Sequence, residues 1–195
     1  MKNEMKRTAI SIVILGEQAV GKTMICSTFL GLEFRNEHLT TVGIEKMSKT
    51  IKLDTGEEIK LKLWDTAGQE RFKAISLKNV RYSQAAVVVF DLTKKASFQK
   101  VTDWLKEIRE NEPSIPIALF GNKSDLKENR VVDQTDIDKL CESEQLEYFE
   151  TSAKENVGIS EGFAKAASLG YKVFGDVVRG QKISVKKNRK KVVVE

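Results

Sequence analysis

Hydrophobic and polar positions along the chain follow two periods, one typical of β-strands and one typical of α-helices. Short apolar runs predict six strands, over residues 9–15, 49–54, 59–65, 85–91, 115–121 and 147–150. Apolar residues that recur every three or four positions predict five helices, the second of them irregular, over residues 21–30, 71–80, 96–111, 135–144 and 159–174. Strands that alternate with helices are typical of an α/β fold with a parallel sheet.

Two parts of this pattern predict where strands lie in the sheet. The run AAVVVFD at residues 85–91 is apolar at every position but the last, as a central parallel strand with both faces covered should be. The segments TIKLD and IKLKLW alternate apolar and polar residues on either side of the turn sequence DTGE. That arrangement is typical of a β-hairpin, so we expect one edge strand of the sheet to be antiparallel.

Positive charge is concentrated near the carboxyl end of the chain. Residues 180–195 hold six lysine and arginine residues and one glutamate, so the rest of the chain is neutral, with 27 residues of each sign. Helical periodicity also fades after Phe174. We therefore expect one folded domain over residues 1–175 and a basic, disordered tail over residues 176–195.

Composition indicates which classes of protein and which cellular compartment are compatible with the chain. No stretch approaches the roughly 20 apolar residues that a membrane span needs. The short apolar run near the start is interpreted as a buried strand, because no cleavage site for a signal peptide follows it. Cys26 and Cys141 lie far apart and predict no disulfide framework. These features together favour a cytoplasmic protein in a reducing compartment.

A glycine-rich segment lies between the first predicted strand and the first predicted helix. Its sequence, GEQAVGKT, matches the GxxxxGK[ST] pattern that binds nucleotide phosphates. The glycines allow backbone amides to point inward, and the start of the helix adds partial positive charge. The Lys22 ammonium can reach the β- and γ-phosphates, and the Thr23 hydroxyl can bind magnesium. The candidate phosphate-binding residues are Gly16, Gln18, Ala19, Val20, Gly21, Lys22, Thr23 and Met24.

An acidic residue ends the third predicted strand, in the segment LKLWDTAGQE. Because the carboxyl ends of parallel strands face the ligand crevice, Asp65 is placed to hold magnesium beside the phosphates. Gly68 allows a backbone amide to approach the γ-phosphate closely, and Gln69 can orient the attacking water. Thr23 and Asp65 are therefore candidate magnesium ligands, and Lys22 and Gln69 are candidate catalytic residues.

Two further segments carry the features of a guanine site. Residues 122–125, NKSD, follow the strand IALFG, and residues 152–154, SAK, follow the strand EYFE. The Asp125 carboxylate can accept hydrogen bonds from N1–H and the exocyclic amine of guanine, a donor pair that adenine lacks. The stem of Lys123 can cover one face of the base. The candidate base-binding residues are Asn122, Lys123, Asp125, Ser152, Ala153 and Lys154.

In order and spacing the motifs resemble those of the Ras-like small GTPases: GEQAVGKT, a threonine in TTVG, DTAGQ, NKSD and TSAK. The resemblance covers roughly residues 7–175. It implies the P-loop GTPase fold, a six-stranded and mostly parallel sheet flanked by five helices, with GTP or GDP and Mg²⁺ at the carboxyl ends of the strands. Within that superfamily, the segments WDTAGQERF, FDLT and KSDLKENR are most similar to Rab proteins.

The resemblance assigns two more residues. Thr41 matches the switch threonine, which implies a magnesium ligand and a catalytic residue whose amide contacts the γ-phosphate only in the GTP state. Phe34 matches the aromatic residue that packs against the guanine edge. Loss of the γ-phosphate would then relax segments 34–47 and 67–82 together. The implied partners of these two segments are effector proteins, an exchange factor and a GTPase-activating protein.

Gln18 departs from the pattern of the family. Ras proteins carry glycine at the matching position, and Rab proteins often carry a small residue. A side chain of this size predicts unusually slow hydrolysis if it crowds Gln69 and an incoming arginine. It has no such effect if it points to solvent, and both alternatives stay open at this point.

Other departures fall on the surface that effectors contact. Lys46 stands where Rab proteins carry a phenylalanine, and Asn79 and Val80 stand where they carry a tyrosine pair, although Trp64 is retained. Those aromatic residues form an apolar effector surface in Rab proteins. The chain is therefore either a divergent Rab protein with its own effectors or a Ras-like outlier.

The tail lacks the carboxyl-terminal cysteines that receive prenyl groups in Rab and Ras proteins. Either the sequence stops before a lipid signal, or the protein is not prenylated. Each basic residue contributes about 1 kcal/mol near an anionic leaflet, which predicts weak, reversible contact with the cytosolic face of an endomembrane. Nucleic-acid patches have the same composition, but only the tail supports a nucleic-acid partner.

These observations predict a molecular switch that binds GTP or GDP with Mg²⁺, hydrolyses GTP slowly and acts in vesicle traffic. The alternatives are a GTP-locked scaffold and a Ras-like signalling GTPase with little turnover. Because Lys22, Thr23, Thr41, Asp65 and Gln69 are all present, the active switch is favoured.

Overall fold

The computed structural model describes residues 8–32, 43–53, 55–68 and 73–189, with the backbone alone for residues 8, 75 and 175–189. Six strands form one sheet: β1 (Thr8–Leu15), β2 (Ile44–Lys52), β3 (Glu58–Thr66), β4 (Ala85–Asp91), β5 (Ile117–Asn122) and β6 (Glu147–Glu150). The α-helices of the described ranges are α1 (Lys22–Leu30), α2 (Lys73–Lys78), α3 (Lys95–Gln99), α4 (Val101–Asn111), α5 (Gln134–Glu144) and α6 (Ile159–Arg189).

The sheet has the strand order β2-β3-β1-β4-β5-β6. All neighbouring pairs are parallel except β2 and β3, which form the predicted antiparallel hairpin at one edge. Its turn contains Gly56 with a φ of 85°, and the Leu53 and Glu57 backbones are joined by a hydrogen bond of 2.9 Å. The prediction of a mostly parallel, six-stranded sheet with one antiparallel edge strand is thus confirmed.

Hydrophobic clusters cover both faces of the central strands of the sheet. In β4 the odd-numbered apolar residues pack with α1 and α6, and the even-numbered residues pack with α4 and α5. This alternation explains why the sequence of β4 is apolar on both faces. The aromatic rings of Phe29 on α1 and Phe163 on α6 belong to the first of these clusters, and their centres are 4.7 Å apart.

The largest differences from the predicted elements occur at three places. The strand β2 begins at Ile44, five residues before its predicted start, because backbone pairing with β3 extends an exposed edge strand that has no alternating pattern. The predicted helix over residues 96–111 is interrupted at Lys100, so α3 and α4 together form one of the five predicted helical segments. The helix α6 continues past its predicted end at Phe174 to Arg189.

None of the helices within the described ranges has the length and apolar character that crossing a bilayer requires. The proposed boundary between a domain at 1–175 and a tail at 176–195 stays a prediction.

Candidate functional site

The glycine-rich loop connects the carboxyl end of β1 to the start of α1. Gly16 and Gly21 have φ angles of 136° and 101°, in the region that favours glycine. A Cβ atom at Gly16 would collide with the Val89 carbonyl of β4, and one at Gly21 would collide with the Asn122 amide of β5. The loop is therefore held against the ends of both strands by contacts that only glycine permits.

Lys22 is buried at the base of this loop, with 5% of its surface exposed. Its ammonium donates hydrogen bonds to the carbonyl oxygens of Gly16 at 2.9 Å and Glu17 at 2.8 Å. Burial lowers the pKa of Lys22 to about 8, although the Asp65 carboxylate acts in the opposite direction. Because a buried ammonium is stabilised by a nearby anion, this position fits the phosphate group that the sequence predicts.

The two described magnesium candidates lie next to each other. The Thr23 hydroxyl of α1 donates a hydrogen bond of 2.6 Å to the Asp65 carboxylate, which is fully buried near the end of β3. Hydroxyl and carboxylate oxygens are the type of ligand that Mg²⁺ prefers. The donor set thus fits Mg²⁺ at the position where α1 meets β3.

Gly68, just after β3, lies against the glycine-rich loop. A Cβ atom there would lie 2.6 Å from the Glu17 carbonyl oxygen and 2.7 Å from the Gln18 amide nitrogen, and it would also collide with the Lys22 ammonium. Glycine alone therefore allows this segment to approach the candidate phosphate site so closely. The Gln18 side chain itself is exposed.

Three predicted site residues, Phe34, Thr41 and Gln69, lie outside the described residues. Their assigned roles stay predictions.

The candidate base-binding segments meet beside the same loop. Asn122 donates from its amide to the Val20 carbonyl at 2.8 Å and accepts a hydrogen bond of 3.3 Å from the Ala153 amide. The Ser152 hydroxyl donates a hydrogen bond of 2.7 Å to the Asp125 carboxylate. A single asparagine thus connects the glycine-rich loop to the segment SAK, and Ser152 orients the carboxylate that is predicted to read the base. Lys154 is exposed next to them.

Lys123 has a left-handed backbone with a φ of 70°, which directs its side chain back over the glycine-rich loop. Its ammonium donates a hydrogen bond of 3.1 Å to the Ala19 carbonyl and forms an ion pair of 2.7 Å with Asp91. Asp91 is fully buried at the end of β4 and also accepts hydrogen bonds from the Thr93 amide and hydroxyl. Asp91 was not among the predicted site residues, although its position at the end of a central strand indicated a place beside the ligand crevice.

A second group of contacts, which the sequence patterns did not predict, connects the glycine-rich loop to α2 and α4. The indole N–H of Trp104 on α4 donates a hydrogen bond of 3.1 Å to the Glu17 carboxylate. The ammonium of Lys73 on α2 lies 4.7 Å from the centre of the Trp104 ring and pairs with Glu107 at 2.6 Å. The helical spacing of Trp104 indicated only a core position, so no sequence signal identified this connection.

Comparisons with known proteins agree with this arrangement. The model of the Ras family matches residues 11–171. Ras-related protein RABA1b of Arabidopsis thaliana is 36% identical over 188 residues, which cover 90% of this chain and 87% of that protein. Ras-related protein Rab2BV of Beta vulgaris is 42% identical over 153 residues, covering 78% of this chain and 71% of that protein. For Ras-related protein Rab-13 of Bos taurus, the identity is 36% over 157 residues, with coverages of 80% and 77%.

Proposed function

Because the chain belongs to the Ras family and is a small GTPase with Rab-like relatives, we propose that it is a guanine-nucleotide switch. In this proposal it binds GTP or GDP with Mg²⁺, changes shape with the γ-phosphate and hydrolyses GTP slowly. The proposal rests on one observation. The glycine-rich loop and the segments NKSD and SAK meet at the carboxyl ends of the parallel strands, where Asn122 is hydrogen-bonded to both Val20 and Ala153. The neighbouring Lys22 ammonium and Asp65 carboxylate supply the charges that a nucleotide and its metal need.

The binding part of the site consists of a buried cation and a positioned carboxylate. Lys22 would hold the phosphates through its ammonium, and Asp125, oriented by Ser152, would accept the two donors of guanine. Thr23 and Asp65 would hold Mg²⁺, which supplies positive charge that stabilises the phosphate oxygens.

The part of the site that would carry out hydrolysis consists of Gly68 and Gln69. Gly68 would give its backbone amide to the γ-phosphate, and Gln69 would orient the attacking water. We propose a slow intrinsic rate, because in proteins of this kind an arginine from an activating protein adds about 10³–10⁵-fold. The same γ-phosphate contacts, with that of Thr41, would order the two switch segments.

We further propose a role in vesicle or membrane traffic on the cytosolic face of an endomembrane. The support is the set of Rab-named relatives at 36–42% identity. In this role the switch segments would bind effectors, an exchange factor and an activating protein, and the basic tail would add weak contact with anionic lipid.

The first test measures the affinities of the full chain for GTP, GDP and ATP with Mg²⁺, together with single-turnover hydrolysis of GTP. We expect tight binding of both guanine nucleotides, ATP binding weaker by at least 10⁴-fold, and slow hydrolysis that Gln69→Leu abolishes. Tight GTP binding with no turnover would instead indicate a GTP-locked scaffold. A preference for ATP would refute the proposal.

Substitution of Gln18 by glycine tests whether this residue slows hydrolysis. The Gln18 backbone nitrogen lies close to Gly68, so its side chain starts next to the place where the γ-phosphate would react, and glycine removes any crowding there. We expect Gln18→Gly to hydrolyse GTP about 10-fold faster in single turnover, with GDP affinity unchanged. A rate equal to that of the original protein would show that the exposed Gln18 side chain points away from the reaction.

A further inference from the structure

The outer face of the β2–β3 hairpin carries a cluster of lysine residues. The pairing register places directly opposite residues of the two strands on the same face. Lys46 lies opposite Trp64, Ser48 opposite Lys62, Thr50 opposite Lys60, and Lys52 opposite Glu58. We call this surface the basic sheet face, which consists of Lys46, Ser48, Thr50, Lys52, Glu58, Lys60, Lys62 and Trp64.

The opposite face of the same hairpin belongs to the hydrophobic core. Ile59, Leu61 and Leu63 of β3 are buried in it, with Met47 and Ile51 of β2 packed against them. On the basic sheet face, by contrast, Lys46, Lys60 and Lys62 are exposed and border an open depression of about 310 Å³. Within the described ranges, this hairpin is therefore covered by helices on one side only.

Positive charge predominates on this face. Lys60 and Lys62 form no ion pair with any residue that the structure describes. The Lys46 ammonium lies 4.6 Å from the centre of the Trp64 ring. The face has four lysines and one acidic residue, Glu58, which lies at the end away from Trp64. Since the chain outside residues 180–195 is neutral, this concentration of positive charge is local.

The face also adjoins the segments that would respond to nucleotide. The strand β2 begins at Ile44, directly after the TTVG sequence, and β3 leads through the buried Asp65 to Gly68. Trp64 immediately precedes Asp65. An occupant of the basic sheet face would therefore contact the strand that leads through Asp65 to Gly68, beside the candidate phosphate and magnesium site.

We propose that the basic sheet face docks an acidic segment of a protein partner, with carboxylates on Lys60 and Lys62 and an apolar side chain against Trp64. Alternate residues of an extended segment lie about 7 Å apart, which matches the spacing of Lys60 and Lys62 on their strand. Lysine ammonium groups bind carboxylates and phosphates alike. The half-buried Trp64 ring beside the lysines adds an apolar contact, which favours a protein segment that carries carboxylates and an apolar side chain together. The nucleotide dependence of docking rests on the proposed function.

The test uses the full chain loaded with a non-hydrolysable GTP analogue and a synthetic peptide with four glutamates around one phenylalanine. The chain has two tryptophans, of which Trp104 is 3% exposed and serves as an internal reference. We expect the peptide to shift the indole N–H resonance of Trp64 and not that of Trp104. We expect the double variant Lys60→Glu and Lys62→Glu to weaken peptide binding at least 10-fold, and a rise from 50 to 300 mM salt to weaken it as well.

The matched control is the double variant Lys106→Glu and Lys139→Glu, which makes the same charge change at exposed positions on α4 and α5. It should bind the peptide as the original protein does. The inference is overturned if the Trp64 resonance does not move or if both double variants weaken binding equally. It is also overturned if phosphatidylserine vesicles or a single-stranded RNA bind this face while the peptide does not. Fluorescent-GDP affinity, measured on the same samples, reports separately on the proposed function.

Discussion

Replacing Asp125 by asparagine is expected to lower the affinity for GTP and GDP by about 10²–10³-fold. The carboxylate would accept two charge-assisted hydrogen bonds, from N1–H and the exocyclic amine of guanine. In the variant, the amide oxygen can still accept one of them, but the amide NH₂ group faces the amine donor of the base. The fold should persist, because the Ser152 hydroxyl can donate its hydrogen bond to an amide oxygen as well as to a carboxylate.

The same chemistry predicts which nucleotide the variant prefers. Xanthine carries a carbonyl oxygen where guanine carries its amine, so the asparagine NH₂ group gains an acceptor. We expect Asp125→Asn to bind xanthosine diphosphate more tightly than GDP in a competition assay with a fluorescent nucleotide. Asp138→Asn makes the same change at an exposed position on α5 and should leave all affinities unchanged. Unchanged GDP affinity in Asp125→Asn would remove this residue from the base site.

The central elements of the fold were predictable from the sequence because their patterns have local causes. The strand β4 alternates between two hydrophobic clusters, and that burial requires the apolar run that identifies it. In the glycine-rich loop, the backbone angles and the close contacts at Gly16 and Gly21 both require glycine, so the sequence motif directly indicates the geometry of the loop. Asn122, which connects two of the motifs, lies where the motif spacing placed it.

Other features depend on contacts between distant parts of the chain. The first residues of β2 are strand only because they pair with β3, and their exposure leaves no periodic signal. The ion pair of Asp91 with Lys123 joins residues 32 positions apart, and the Glu17–Trp104 hydrogen bond joins residues 87 positions apart. The sequence around either residue of such a pair contains no signal of the contact. The basic sheet face likewise becomes visible only when the register places the lysines of two strands side by side.

Replacing Lys22 by methionine is expected to lower the affinity for GTP and GDP by about 10²–10³-fold or more. The reason is that phosphate oxygens in a buried site would lose the ammonium that neutralises them. Lys22 is 5% exposed, so water cannot take over that role as it could at the surface. The measurement is the dissociation constant of a fluorescent GDP with Mg²⁺, and Lys139→Met, at an exposed position of α5, is the control that should bind normally.

The stability of the nucleotide-free protein should not decrease in Lys22→Met, although nucleotide binding does. Burial lowers the pKa of Lys22 to about 8, which means that the folded, nucleotide-free protein holds the charged form less well than the unfolded chain does. At pH 7 the charge of Lys22 therefore lowers the free energy of unfolding, and replacing it by methionine, which has a similar length and no charge, removes that cost. We expect nucleotide-free Lys22→Met to unfold at the same temperature as the original protein or a higher one. A lower melting temperature would mean that the hydrogen bonds of Lys22 to Gly16 and Glu17 outweigh the cost of burying its charge, so that the lysine supports the fold as well as the ligand.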